Sequence, residues 1–151
     1  MSHFFSNFDN FFITLDVFIM KGLRLYKYEK LCSKKTIEDL FASKNNSVKS
    51  YPIRLIYTIE PFKGTPAQFY ISVPKRKIRH AVDRVLMRRR IREAYRLNRD
   101  IFLPILKQNS LSVNIAIIYM HDNICDYALV EEKLKNALTS LAEIIADYKH
   151  Q

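Results

Sequence analysis

The sequence predicts a single α+β domain whose elements follow in the order helix, two or three strands, helix, strand, helix. Three observations support this prediction. The length of 151 residues fits one domain, and a hydrophobic share of 48%, with ten Phe and nine Tyr, is enough for a core. Runs of β-branched and aromatic residues also alternate with segments whose apolar residues recur every three or four positions.

The first predicted element is a short helix that begins after Ser33. The Ser33 hydroxyl can cap the helix, and three apolar residues then recur on one face. These residues are Ile37, Leu40 and Phe41. The following segment KNNSVKS, residues 44–50, is typical of a loop.

Two strands are predicted next. The run IRLIYTI, bounded by Pro52 and Pro61, is rich in β-branched and aromatic residues. Alternation places Tyr57 on the same side as Ile53, with Ile56 on the other side. The run AQFYISV forms a second strand, which we expect to pair antiparallel with the first because the connection FKGTP is short.

The second half of the chain predicts a helix, a strand and a final helix. Residues 82–98 contain neither Gly nor Pro and are rich in good helix formers, and Pro104 is expected to close this region. SVNIAIIY, residues 112–119, has the composition of a buried strand. Asp126 can cap a last helix that runs to about Tyr148. Its apolar stripe consists of Leu134, Leu138, Leu141 and Ile145.

The positive charge is concentrated in one segment. The net charge is +10, and residues 75–99 hold eleven Lys or Arg, most of them Arg, against two acids. Such a patch attracts polyanions, which leaves nucleic acid and an anionic membrane surface as candidate partners.

A helical wheel separates this segment into two faces. Met87, Ile91 and Ala94 gather on an apolar face that suits packing on a sheet. Like charges four residues apart repel each other, so the opposite face is poorly explained as a merely solvated surface and favours a bound anion. That face carries Val85 together with Arg88, Arg89, Arg92, Arg96 and Arg99.

Nucleic acid is favoured over a membrane. Guanidinium groups bind phosphate in two parallel hydrogen bonds and stack on bases, whereas a membrane-surface helix would place larger apolar residues opposite the charge. DNA readers of the major groove usually add Asn or Gln, and the arginine face has neither.

The sequence contains no pattern typical of a catalytic or metal centre. Cys32 and Cys125 form no CxxC pair, and the four histidines show no metal-ligand spacing. We therefore expect no catalytic residues, no protein-bound metal and no disulfide framework.

The Phe-rich residues 1–22 are interpreted as an extension before a single domain over residues 23–151. They lack a positive n-region, are interrupted by Asp9 and Asp16, and contain no apolar run long enough to span a bilayer. Two alternatives stay open: the extension is disordered, or translation begins at Met20. We expect a cytoplasmic protein.

The segment SVPKRKIRHAVDRVLMRRRIREAYR resembles the signature region of the bacterial ribonuclease P protein subunit. In that family a strand ending in a Ser-Val-x-Lys-Lys type sequence leads through Ala-Val to an Arg-Asn-x-x-Lys-Arg-x-x-Arg-Glu helix. Val85 stands where the family usually has Asn, and the loop 75–80 is one residue longer than is common. The resemblance covers about residues 23–148. The matching residues are Ser72, Val73, Pro74, Lys75, Arg76, Ala81, Val82, Arg84, Arg88, Arg89, Arg92 and Glu93.

The resemblance implies a ribosomal-protein-like α/β sandwich with an antiparallel-dominated sheet and a left-handed βαβ crossover through the arginine helix. It implies an accessory subunit that binds the catalytic RNA of ribonuclease P and the 5′ leader of precursor tRNA, without an obligate protein partner. The RNA and its Mg²⁺ ions would hydrolyse the leader from the tRNA. The alternative is a general RNA-binding or ribosome-associated protein of the same fold.

Arg90 and Glu93 lie off the arginine face and are expected to form surface pairs. Two other groups of residues are expected to contact RNA. The leader would lie in a cleft lined by Ile37, Phe41 and Tyr57, where aromatic rings can stack on unpaired bases. The catalytic RNA would contact Lys75, Arg76, Arg79, Arg84, Arg88, Arg89, Arg92 and Arg96.

Overall fold

The structure of the protein is a computed structural model that describes residues 24–42 and 46–148. The extension predicted over residues 1–22 lies outside the described residues. One-turn 3-10 helices occupy Lys27–Glu29 and Arg99–Ile101. The other elements are, in chain order, α1 Lys34–Ala42, β1 Ser47–Ser50, β2 Ile53–Pro61, β3 Ala67–Ser72, α2 Ala81–Asn98, α3 Leu103–Asn109, β4 Leu111–Tyr119 and α4 Tyr127–Tyr148.

The predicted order of elements is confirmed, with three strands before α2 and one additional helix, α3. The loop predicted at residues 44–50 is wrong for its second half, because β1 forms there as an edge strand that pairs with β2 and packs Val48 on the core. Pro104 does not close the region but lies in the first turn of α3. A proline is tolerated there because the first N–H groups of a helix have no intrahelical acceptor.

The sheet has the strand order β1-β2-β4-β3, so the predicted hairpin of β2 and β3 is wrong. β4 lies between them, antiparallel to β2 and parallel to β3. The connection 62–66 bonds to the start of β4 instead: the Ser112 Oγ donates to the Thr65 carbonyl at 2.8 Å, and the Val113 N–H donates to the Pro66 carbonyl at 2.9 Å. β4 takes the central place because its apolar residues are buried on both faces of the sheet.

The parallel neighbours β3 and β4 are joined by a crossover that contains α2 and α3. Two of the three strand pairs are antiparallel, as the resemblance implies. The left hand of the crossover stays a prediction.

Helices cover both faces of the sheet. On one face α2 and α4 pack over the inward residues of the strands, and the predicted stripe of α4, which includes Leu134 and Ile145, is fully buried. On the other face α1 covers a smaller core. That core consists of Leu31, Leu40, Ile56 and Ala116. The chain is therefore an α/β sandwich whose two helical layers present different surfaces.

Candidate RNA interface

The helix α2 carries the predicted two faces. Met87, Ile91 and Ala94 have no exposed surface and pack in the core. Val85 on the opposite side is 39% exposed. The arginine surface, as we call it below, consists of the exposed Arg89 and Arg92 and the half-buried Arg88 and Arg96.

The N-terminal segment extends the arginine surface into a groove. Arg24 and Lys30 line this groove, of about 690 Å³, from one side. The other side is lined by α2 residues, namely Arg89, Arg92, Glu93 and Arg96. Arg24 and Lys30 were not predicted from the sequence, because they are about sixty positions away from α2 along the chain. The excess of basic residues before α1 was the only signal for them. We call this the arginine groove.

A buried ion pair holds that segment against the end of α2. The Arg99 Nη1 donates to the Glu29 Oε1 at 2.5 Å, and the Arg99 Nη2 donates to the Arg24 carbonyl at 2.6 Å. The Glu29 Oε2 also accepts from the Tyr26 N–H at 2.7 Å. The expectation that Arg99 belongs to the exposed arginine face is wrong, because Arg99 is 3% exposed and meets a carboxylate from a distant part of the chain.

Glu93 and Arg90, which were expected to form surface pairs, have different kinds of partner. Glu93 accepts hydrogen bonds from Arg96, at 3.0 Å to the Arg96 Nε and 2.5 Å to its Nη2. The bond from Arg96 lowers the pKa of the Glu93 carboxyl group, so Glu93 stays ionised at neutral pH and offsets part of the Arg96 charge. Arg90 donates to the carbonyl of Cys125. Of the arginine surface, Arg89 and Arg92 therefore offer the greatest exposure.

The loop before α2 is braced by Arg84. Its Nη1 donates to the carbonyls of Ile78 and Arg79, at 3.0 Å and 2.7 Å, while Ile78 itself is buried. Arg84 thus has a structural role beside its predicted role in RNA contact. The side chains of Lys75, Arg76 and Arg79 are exposed on this loop.

The α1 face of the sheet carries a different surface. Phe41 packs edge-on against Tyr70, with ring centroids 6.2 Å apart at an angle of 86°. Ile37 is half-buried on the same side and packs on the smaller core beside Tyr70. Ile37 and Phe41 therefore lie together, as predicted. Their contact with a leader strand stays a prediction.

Tyr57 does not belong to this group, and its predicted place in the cleft is wrong. Alternation along β2 turns Tyr57 into the core under α2 and α4, where it is 8% exposed and where burial raises the pKa of its hydroxyl. Ile56, one residue before it, faces α1. Tyr70 was not predicted from the sequence; the available signal was strand alternation in AQFYIS, which turns Tyr70 to the side opposite Phe69, and the structure buries Phe69 and leaves Tyr70 half-buried.

Two further grooves continue from the arginine groove toward α1. The first, of about 540 Å³, contains Tyr28 and shares Lys30 with the arginine groove. The second, of about 520 Å³, is a polar groove between α1 and the sheet, and it shares Thr36 and Gln68 with the first. The shared residues show that one grooved surface leads from α2 to the α1 face.

No helix in the ranges 24–42 and 46–148 is long and apolar enough to cross a membrane.

Comparison with known proteins identifies a family. The sequence model of the ribonuclease P family matches residues 25–142. A ribonuclease P protein component from Porphyromonas gingivalis is 29% identical over 119 residues, which cover 78% of this chain and 86% of that protein.

Solved structures of RNase P proteins share the fold. The protein from Staphylococcus aureus gives a TM-score of 0.58 at 17% identity, covering 78% of this chain and 97% of the other. The protein from Thermotoga maritima gives 0.57 at 19% identity, covering 74% and 96%. The matched family region spans well over half of the sequence and includes the basic loop, α2 and most of the N-terminal segment that faces it. The chain therefore belongs to the ribonuclease P protein family.

Proposed function

We propose that this chain is the protein subunit of ribonuclease P, that it binds the catalytic RNA through the arginine groove, and that it holds the 5′ leader of precursor tRNA on the α1 face. The family match supports a part in tRNA 5′ processing within a ribonucleoprotein. The observation that carries the rest is the arginine groove itself, in which the α2 arginines lie on the side of that helix that does not pack in the core.

Phosphate binding explains the chemistry of that groove. Arginine and lysine side chains that contact phosphates fix the position and orientation of an RNA without reading its sequence, which suits docking on one folded RNA. The groove takes its cations from two parts of the chain, so it can contact phosphates on both of its sides.

The α1 face supports a single strand of RNA. Phe41 and Tyr70 provide rings on which unpaired bases can stack. Lys49 of β1 and Arg54 of β2 are register partners, so they lie on the same side of the sheet. Their neighbours in each strand face the larger core, which places these two cations on the α1 side. Such cations suit the backbone of the leader.

We place the magnesium ions and the hydrolysis on the RNA subunit. Among the described residues, no group of three or more His, Cys, Asp or Glu side chains is arranged to hold a metal ion. We assign to the protein the binding of both RNAs and the orientation of the leader, and the ions would supply charge stabilisation to the reaction.

Reconstitution tests this function. The protein is added to the ribonuclease P RNA of the same organism and a precursor tRNA, at a magnesium concentration too low for the RNA to act well alone. We expect cleavage at the mature 5′ end to increase strongly, and no cleavage by the protein without the RNA. A general RNA-binding protein would bind the precursor and leave the cleavage rate unchanged, which would refute the proposal.

Replacing Phe41 by Ala tests the leader surface. Loss of one stacking ring should weaken the binding of precursor tRNA by the reconstituted complex about tenfold and leave the binding of mature tRNA unchanged, because only the precursor carries a leader. Dissociation constants for the two tRNAs measure the effect. Tyr148→Ala is the control, since it removes an exposed ring from α4 across the sheet. Equal losses for both tRNAs in Phe41→Ala would contradict the assignment.

A further inference from the structure

Two tyrosine rings and an arginine form an exposed stack before α1. The rings of Tyr26 and Tyr28 are nearly parallel, at an angle of 7°, with centroids 5.4 Å apart. The Arg24 guanidinium carbon lies 5.5 Å from the centroid of the Tyr26 ring. Tyr28 is 58% exposed. A large part of this ring is therefore available to another planar group.

The backbone that carries the stack is fixed by several hydrogen bonds. Glu29 binds the Tyr26 N–H and is itself held by the buried Arg99. The Tyr28 carbonyl accepts from the Gln68 Nε2 at 2.9 Å. The Leu31 N–H donates to the Phe69 carbonyl at 2.8 Å, which ties the segment to the edge of β3. The Tyr28 ring is thus presented from an ordered turn, so binding to it would cost little conformational entropy.

The position of Tyr28 joins the two RNA surfaces. Tyr28 lines the groove that shares Lys30 with the arginine groove and shares Thr36 and Gln68 with the polar groove beside α1. Lys27 lies beside it in the same groove. A strand that passes from α2 to the α1 face would meet this ring with cations next to it.

An exposed tyrosine is common on protein surfaces and needs no explanation by itself. Three features set Tyr28 apart: its ring is already stacked, its backbone is anchored, and basic side chains surround it. Proteins recognise unpaired nucleotides with this combination, because every base has a face that can stack and a phosphate that needs a cation. A paired RNA helix hides those faces.

We propose that Tyr28 is a stacking site for an unpaired nucleobase of RNA, located between the arginine groove and the α1 face. The inference rests on the proposed function only in taking RNA as the partner. It adds a contact to a base, which is distinct from the phosphate contacts of the arginine groove and from the leader surface around Phe41.

A tryptophan variant gives a direct readout, because the chain contains no Trp. Y28W keeps an aromatic face at the site and makes it the sole Trp fluorophore. We expect a short oligoadenylate to quench this fluorescence, and an abasic oligoribonucleotide of equal length to leave it unchanged. Y148W, which places the fluorophore on α4, should respond to neither oligomer. An unquenched Y28W at saturating oligoadenylate would overturn the proposal.

Affinity supplies a second, independent measurement. Tyr28→Ala should weaken oligoadenylate binding about tenfold and change binding of the abasic oligomer less than twofold, since the phosphates are the same. Tyr28→Phe should retain binding, because its ring can still stack. Lys30→Gln should weaken binding of both oligomers. Equal losses of Tyr28→Ala for both oligomers, or a large loss for Tyr28→Phe, would refute stacking.

These results separate the inference from the proposed function. If the protein fails to stimulate cleavage of precursor tRNA while oligoadenylate still quenches Y28W, the function is wrong and the stacking site stands. If stimulation is normal and Y28W is not quenched, the stacking site is wrong and the function stands. The exposure of Tyr28 means that its variants should unfold at the same urea concentration as the wild type, and this is measured alongside.

Discussion

Replacing Arg89 and Arg92 together by Gln is expected to lower the affinity for ribonuclease P RNA by about 100-fold. Both side chains are exposed and line the arginine groove. A hydrogen-bonded contact between a guanidinium group and a phosphate is worth about 1.5 kcal/mol or more, which corresponds to roughly tenfold for each arginine.

The salt dependence of binding gives the same prediction a second measurement. Binding releases fewer counterions from the RNA when phosphate contacts are lost. The slope of log affinity against log salt should therefore become shallower by about 1.5 in the double variant. Binding of the RNA is measured across a range of salt concentrations for the wild type and the variant. A loss of affinity with an unchanged slope would mean that the two arginines do not contact phosphates.

A charge-matched variant separates local contact from total charge. Lys107→Gln with Lys135→Gln removes the same two charges from exposed positions on α3 and α4. We expect its RNA affinity to fall less than about threefold, because distant surface charges are screened at physiological salt. Similar losses in both double variants would show that the net charge, and not the arginine groove, drives binding.

Local patterns predicted α2 well. The positions of Met87, Ile91 and Ala94 follow from helical periodicity alone, because one helix must bury one face. The same reasoning failed at Arg99, whose burial depends on Glu29, a residue seventy positions earlier. Helical periodicity predicts which face of a helix is buried, but it does not predict which distant segment contacts the end of the helix.

The sheet shows the same division between local and distant information. Alternation assigned Ile56 and Tyr57 to opposite sides of β2, as the structure has them, but it could not say which side α1 covers. The place of β4 between β2 and β3 is equally non-local. The leader surface was therefore only partly predictable, and Tyr70 replaces Tyr57 beside Phe41.

Replacing Glu29 by Leu is expected to lower the free energy of unfolding by about 3–5 kcal/mol. The change removes the Glu29 carboxylate that faces the buried Arg99 guanidinium group, which keeps its bond to the Arg24 carbonyl, so the charge of Arg99 is less well compensated. Such a loss is a large part of the stability of an ordinary domain. Urea unfolding monitored by circular dichroism measures it.

The double variant Glu29→Leu with Arg99→Met should recover most of that stability, because both buried charges are then replaced by apolar side chains. Its RNA affinity should nevertheless stay below that of the wild type. The double variant lacks the bonds that the Tyr26 N–H donates to Glu29 and that Arg99 donates to the Arg24 carbonyl, which hold one side of the arginine groove. A double variant with wild-type stability and wild-type RNA affinity would show that the ion pair does not position the groove. Recovery of stability without recovery of RNA affinity would show that the role of the ion pair is to place Arg24 and Lys30 opposite α2. Apolar side chains would then have filled the same space equally well.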